Sequence, residues 1–196
     1  MTTIVKAVLL IAAAALAGCA GTQFKRAEPE TLQNGETTYA QVVQRMGEPR
    51  SRGQVLKNNK QVTTASYSYA EAGGKSVSDE VIASKTQMFF FADERLVGHA
   101  FASTWAEDHT RFDDTKLSQI AKGRTTKEEV IALLGKPSGY YRYPMIDAAT
   151  GEALVYVYAQ VAKKGLMSIG ISNKEAVITL DERGVVSDVK FESTSQ

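Results

Sequence analysis

Cysteine and histidine are scarce in this chain, which carries one cysteine, Cys19, and two histidines, His99 and His109. A lone thiol excludes an internal disulfide. A zinc site needs three or four Cys, His or carboxylate ligands, and so thin a supply of soft donors does not provide them. A surplus of charge is also missing. The formal net charge is +1, which leaves no electrostatic footprint for nucleic acid. Long hydrophobic runs are absent too: the apolar stretch from Ala7 to Leu16 is about half of the roughly 20 residues that a bilayer-crossing helix requires.

What the N-terminus does carry is an ordered signal. Lys6 precedes the apolar run, and small residues follow it in Leu16-Ala17-Gly18-Cys19. That is the grammar of a secretion signal covering residues 1–18, to be removed from the mature protein. The four residues ending in Cys19 resemble the bacterial lipobox. The resemblance implies acylation of the Cys19 thiol, cleavage before it and acylation of the new amine. Several acyl chains at roughly 0.8 kcal/mol per buried methylene make a near-permanent anchor. By the same resemblance Ala20, where an aspartate would retain the protein at the inner membrane, implies an outer-membrane address on the periplasmic face. Residues 19–34 read as a polar, lipidated tether, with Pro29 and Asn34-Gly35 as breakers.

The rest of the chain is organised by an internal repeat. At an offset of 88, Gly35-Glu36-Thr37-Thr38 to Met46-Gly47-Glu48-Pro49 falls over Gly123-Arg124-Thr125-Thr126 to Leu134-Gly135-Lys136-Pro137, and Asp93-Glu94-Arg95 falls over Asp181-Glu182-Arg183. One further residue of shift aligns Tyr67-Ser68-Tyr69-Ala70 with Tyr156-Val157-Tyr158-Ala159. Such self-similarity marks a duplication, with repeats at 35–106 and 107–196.

Within each repeat the spacing predicts a capped helix. Thr38 with Gln41, and Thr125 or Thr126 with Glu128 or Glu129, supply the capping box. Val42, Val43 and Met46, or Val130, Ile131, Leu133 and Leu134, supply the apolar stripe. Gly47 and Gly135 end the helices, and Pro49 and Pro137 cannot continue them. A second short helix is expected at 115–121, with a weaker counterpart at 28–33. Beyond the helices the period changes to 2, predicting strands at 62–70, 86–92, 96–104, 153–161, 175–181 and 185–192. The expected fold is α+β: two tandem two-layer units, each a helix pair packed on a three-stranded antiparallel meander.

The run Gly123 to Pro137, followed by Tyr156-Val157-Tyr158 and by Ala176 to Val186, resembles the SmpA/OmlA (BamE-like) family of small outer-membrane lipoproteins. The duplication also resembles the architecture of the beta-lactamase inhibitor protein. These resemblances imply protein binding or envelope assembly rather than chemistry.

Nothing in the chain assembles a catalytic cluster, and neither an enzyme activity nor a cofactor is expected. His99 lies inside a strand and His109 in a polar connection. Gly73-Gly74-Lys75-Ser76 lacks the upstream glycine of a phosphate-binding loop, with Tyr69 in its place. Glu128 and Glu129 sit in a first helical turn, where carboxylates favour the dipole. Arg50, Arg52, Lys57 and Lys60 read as a solvated surface loop, and Trp105 as an anchor between the repeats. Tyr140, Tyr141, Arg142 and Tyr143 form the candidate partner contact, because tyrosine and arginine dominate protein interfaces. The expected role is a membrane-tethered scaffold for envelope or outer-membrane assembly proteins. The alternative is a periplasmic inhibitor-like or ligand-binding module using a concave sheet surface.

Overall fold

A computed structural model describes residues 21–164 and 168–196; the expected leader and Cys19 lie outside the described residues. Among the described residues there are two α-helices, α1 (Tyr39–Met46) and α2 (Lys127–Leu134). Both begin with a complete capping box. Gln41 N–H donates to Thr38 Oγ1 at 3.2 Å while Thr38 N–H donates to Gln41 Oε1 at 2.8 Å. Thr126 and Glu129 repeat the pair at 3.3 and 2.8 Å. Both helices end on a glycine with positive φ, 80° at Gly47 and 85° at Gly135. The segments before the helices are held alike. Gly35 N–H donates to Leu96 O at 2.6 Å, and Gly123 N–H to Val186 O at 2.7 Å.

The sheet corrects the expected architecture. In place of two separate three-stranded meanders there is one antiparallel sheet of eight strands in sequential order. The strands are β1 (Ser51–Lys57), β2 (Lys60–Glu71), β3 (Ala83–Ala92), β4 (Arg95–Ser103), β5 (Gly139–Tyr141), β6 (Glu152–Lys163), β7 (Ile169–Leu180) and β8 (Val186–Ser195). Two of them account for the difference. β1 is polar and largely exposed, so it has no apolar alternation to reveal it. It is folded back on β2 by Asn58 and Asn59, with φ of 46° and 60°, the primed-turn geometry that suits a hairpin. β5 is only three residues long, yet it pairs with β4 on one side and β6 on the other. It thereby fuses the two halves of the sheet. That close approach requires a glycine, because a Cβ at Gly139 would stand 1.9 Å from the carbonyl oxygen of His99. The expected helix pairs are also reduced, each partner of an α-helix being a 3-10 turn, Pro29–Thr31 or Asp114–Gln119.

The sheet curls into a half-barrel, so that side chains of β1 and β8 line the same cavity. Alternation divides the residues between its faces. On β3, Phe89 and Phe91 point to the convex side and Met88 and Phe90 to the concave side. The helices cover the convex face in two patches: Val42 packs with Phe89, Leu96 and Phe101, and Val130 and Leu134 pack with Leu154, Tyr156 and Ile178. Each such fully buried apolar side chain contributes roughly 1.5–3 kcal/mol. Phe24, Ala27 and Leu32, ahead of α1, are also buried in the first patch. Ala27 exchanges two backbone hydrogen bonds with the side chain of the buried Gln87, at 2.9 and 2.8 Å. The chain is therefore docked on the sheet from Phe24 onward.

Candidate functional site

Among the described residues no helix covers the concave face. A cavity of about 150 Å³ remains there, bounded by the sheet and by the loop between β5 and β6. Its floor is open because β4 contributes only Ala100 and Ala102, with Val157 and Val177 beside them. Small side chains at the centre of a curled sheet leave volume that larger ones would fill. An apolar space on the order of 150 Å³ accommodates a molecule about the size of one aromatic ring.

The loop over the cavity is tied on two sides. The Asn58 side-chain amide donates to Pro144 O at 3.1 Å and Ile146 O at 2.9 Å. Tyr143 hydroxyl donates to Asn58 O at 3.2 Å. On the opposite side Lys190 of β8 pairs with Asp147 at 2.5 Å, which holds the Asp147 carboxyl below its ordinary value. Met145 and Ile146 reach into the cavity from this loop.

Two polar groups lie deep in the apolar wall. Tyr141 is buried, its ring edge-on to Phe90 at 5.4 Å, in space left by Gly98, where a Cβ would meet the ring at 2.6 Å. Its hydroxyl donates to Glu175 Oε1 over a long 3.5 Å. Glu175, from β7, is 8% exposed, and its Oε2 has no hydrogen-bond partner among the described residues. Burial, reinforced by Glu192, pushes the Glu175 carboxyl up to about 7, against the opposing pull of Lys57 and of the Tyr141 hydrogen bond. Desolvation, with Glu175 nearby, likewise drives the Tyr141 phenol well above its usual range. Burial lowers Lys57, against Glu175, Asp147 and Glu192.

The expected contact residues do not share one surface. Tyr141 enters the cavity, and its neighbour Tyr140 faces the convex side, tilted against His99 at 5.9 Å. Lys127 sits 5.6 Å above the Tyr140 ring and pairs with Glu152 at 2.6 Å. Arg142 is exposed and donates to Asn34 O at 3.5 Å. Tyr143 is 37% exposed. His99 is buried, its Nδ1 without a partner among the described residues. Desolvation, with Arg26 adding to it, lowers this imidazole to about 4, so it is neutral at neutral pH. Glu175 escaped the sequence reading, since a glutamate alternating with Asn173, Val177 and Thr179 looks like the solvated side of an ordinary strand. Its one signal was an acid at a position that pairs across the sheet with Val157.

Among the described residues no group of three or more His, Cys, Asp or Glu side chains is placed to hold a metal ion, and no helix is long and apolar enough to cross a membrane. No family model matches the chain, the SmpA/OmlA family included. No curated protein sequence matches it either. Among solved structures the chain is similar to a "putative beta-lactamase inhibitor protein" from Streptococcus mutans, at 13% identity and a TM-score of 0.39, over 80% of this chain and 82% of that one. A TM-score this low carries no argument about function.

Proposed function

We propose that the chain is a non-enzymatic ligand-binding module of the cell envelope, held at a membrane by lipid on Cys19, whose concave cavity takes one small, mainly apolar molecule. The observation that supports this reading is the cavity on the concave face, apolar in its walls, bounded by a tied loop and containing a buried, under-bonded carboxyl. Concave apolar sites with a few convergent polar groups are the usual form of a ligand pocket. The lipid acts as an address, restricting the module to a surface and raising its effective concentration there. An envelope-assembly partner, the role implied by the BamE-like resemblance, is not needed for this reading.

The test uses the full chain with Cys19→Ser, which removes the acylation site and leaves every described residue unchanged. Toluene is titrated in while the methyl signals of Ala100, Ala102, Val157 and Val177 are followed by NMR. Saturable shifts confined to these methyls, abolished by the cavity-filling Ala102→Phe, are expected. Absence of shifts at millimolar toluene would overturn the cavity reading. Capture of a soluble periplasmic enzyme that persists in Ala102→Phe would favour the inhibitor-like alternative.

A further inference from the structure

The polar end of the cavity is chemically one-sided. Four carboxyl side chains line it, Asp147, Glu175, Asp188 and Glu192, against two lysines, Lys57 and Lys190. Two of the acids are already committed to ion pairs, Asp147 with Lys190 and Asp188 with Lys122. What remains facing the apolar space is Glu175 and Glu192 against a partly desolvated Lys57. Of these, Glu175 alone is more than nine-tenths buried, and its Oε2 accepts no hydrogen bond from any described residue.

A buried carboxylate with an empty acceptor is costly to maintain, and an N–H donor carrying positive charge relieves both the missing hydrogen bond and the charge. Fatty-acid anions are disfavoured, because they would set a second carboxylate against the first. A plain hydrocarbon fills the walls and leaves Oε2 as it is. From this juxtaposition we infer that the ligand is a small apolar ammonium, a primary amine on an aromatic or short alkyl body, whose N–H donates to Glu175 Oε2 while the body lies along Ala100, Ala102, Val157 and Val177. The inference rests on the cavity reading above.

The pH dependence follows from the groups around Glu175. Tyr141 faces it from β5, Lys57 from β1, Asp147 from the tied loop, and Asp188, Lys190 and Glu192 from β8. Burial and Glu192 raise the carboxyl to about 7, whereas Tyr141 is raised further out of range and Asp147 and Asp188 are lowered by their lysine partners. Glu175 is therefore the cavity acid that changes charge between pH 6 and 8. An ammonium prefers its ionised form, so affinity rises about tenfold over that interval, the factor set by a carboxyl titrating at about 7.

The experiment titrates full-chain Cys19→Ser protein with 2-phenylethylammonium and with its neutral isostere propylbenzene, at pH 6 and pH 8, with and without Glu175→Gln. Tighter binding of the amine than of propylbenzene is expected, with a tenfold gain at pH 8. In Glu175→Gln the amine should weaken by about tenfold or more while propylbenzene is unchanged. Equal affinity of the amine for the wild-type and Glu175→Gln proteins, or a preference for propylbenzene, would overturn the amine assignment and leave the cavity reading standing. Binding of neither probe would overturn both. Should Glu175→Gln not fold, the wild-type protein still decides the matter. The Glu175 carboxyl carbon should titrate at lower pH when the amine is bound, and an unmoved titration overturns the inference.

Discussion

The hydroxyl of Tyr156 donates to the carbonyl oxygen of Gly135 at 2.9 Å, tying the residue that ends α2 to the middle of β6. Tyr67 makes the same bond to Gly47 at 2.7 Å, from β2 to the end of α1. In both cases the tyrosine satisfies a carbonyl that the finished helix leaves open.

Removing either hydroxyl should therefore cost about the same. Tyr156→Phe and Tyr67→Phe keep the ring packing and lose one hydrogen bond, worth about 1 kcal/mol each. Urea denaturation of the two variants and of the double mutant measures this. The bonds lie in different halves, so the two losses should add; a strongly non-additive pair would mean that the halves are coupled through these tyrosines.

Gly139→Ala places a Cβ against the backbone of β4, at 1.9 Å from His99 O, with no flexible side chain to give way. A loss of about 3 kcal/mol is expected, in the range reserved for backbone incompatibility. Amide exchange should accelerate in β4, β5 and β6 first, where the joint is opened. Uniform acceleration would instead point to a general loss of packing.

Glu175 gives the stability curve a definite slope. Its carboxyl is raised from 4.5 to about 7 in the folded protein, so the folded state holds the proton over the interval in which the unfolded state has released it. The contribution is complete below about 4.5 and is lost as pH rises through about 7. Between pH 4.5 and 8 the wild-type protein should lose about 3 kcal/mol relative to Glu175→Gln, from a difference of this size at 1.36 kcal/mol per unit. Unfolding free energies of both proteins at the two pH values test it, and parallel curves would contradict the burial of the carboxyl.

His99 acts with the opposite sign. Its imidazole is lowered from 6.5 to about 4, so the unfolded chain takes up the proton first. The stabilising contribution is complete above about 6.5 and is lost as pH falls toward 4. NMR of the ring nitrogens should find His99 neutral at pH 5.5. Protonation of His99 at pH 5.5 in the folded state would contradict its burial beneath Tyr140.

What the amino-acid order discloses and what it conceals separate along physical lines. Thr38 with Gln41, and Thr126 with Glu129, act within one helical turn, so both helices, and the glycines that stop them, are legible residue by residue. The cores of six strands are legible for the same reason, since alternation is local. β1 hides because Ser51 to Lys57 buries almost nothing, and β5 because three residues, Gly139 to Tyr141, are too few to show a period. The single sheet depends on that second segment, so reading Gly139 to Tyr141 as loop and not strand divided the molecule wrongly into two layered units. Curvature is non-local, and with it the meeting of Lys57 and Glu175, whose strands are six places apart in the sheet. No spacing rule connects them.

The order of the strands has a consequence for how the molecule is made. Each strand pairs with the one synthesised immediately before it, from β1 through β8. Loops close over short stretches of chain, which keeps the entropy of each addition small. Domains form from the N-terminus as the chain emerges, and here the sheet can grow at one edge with only the newest strand unpaired. The cavity comes into being last, when β8 arrives and brings Asp188, Lys190 and Glu192 opposite a β1 that was laid down first.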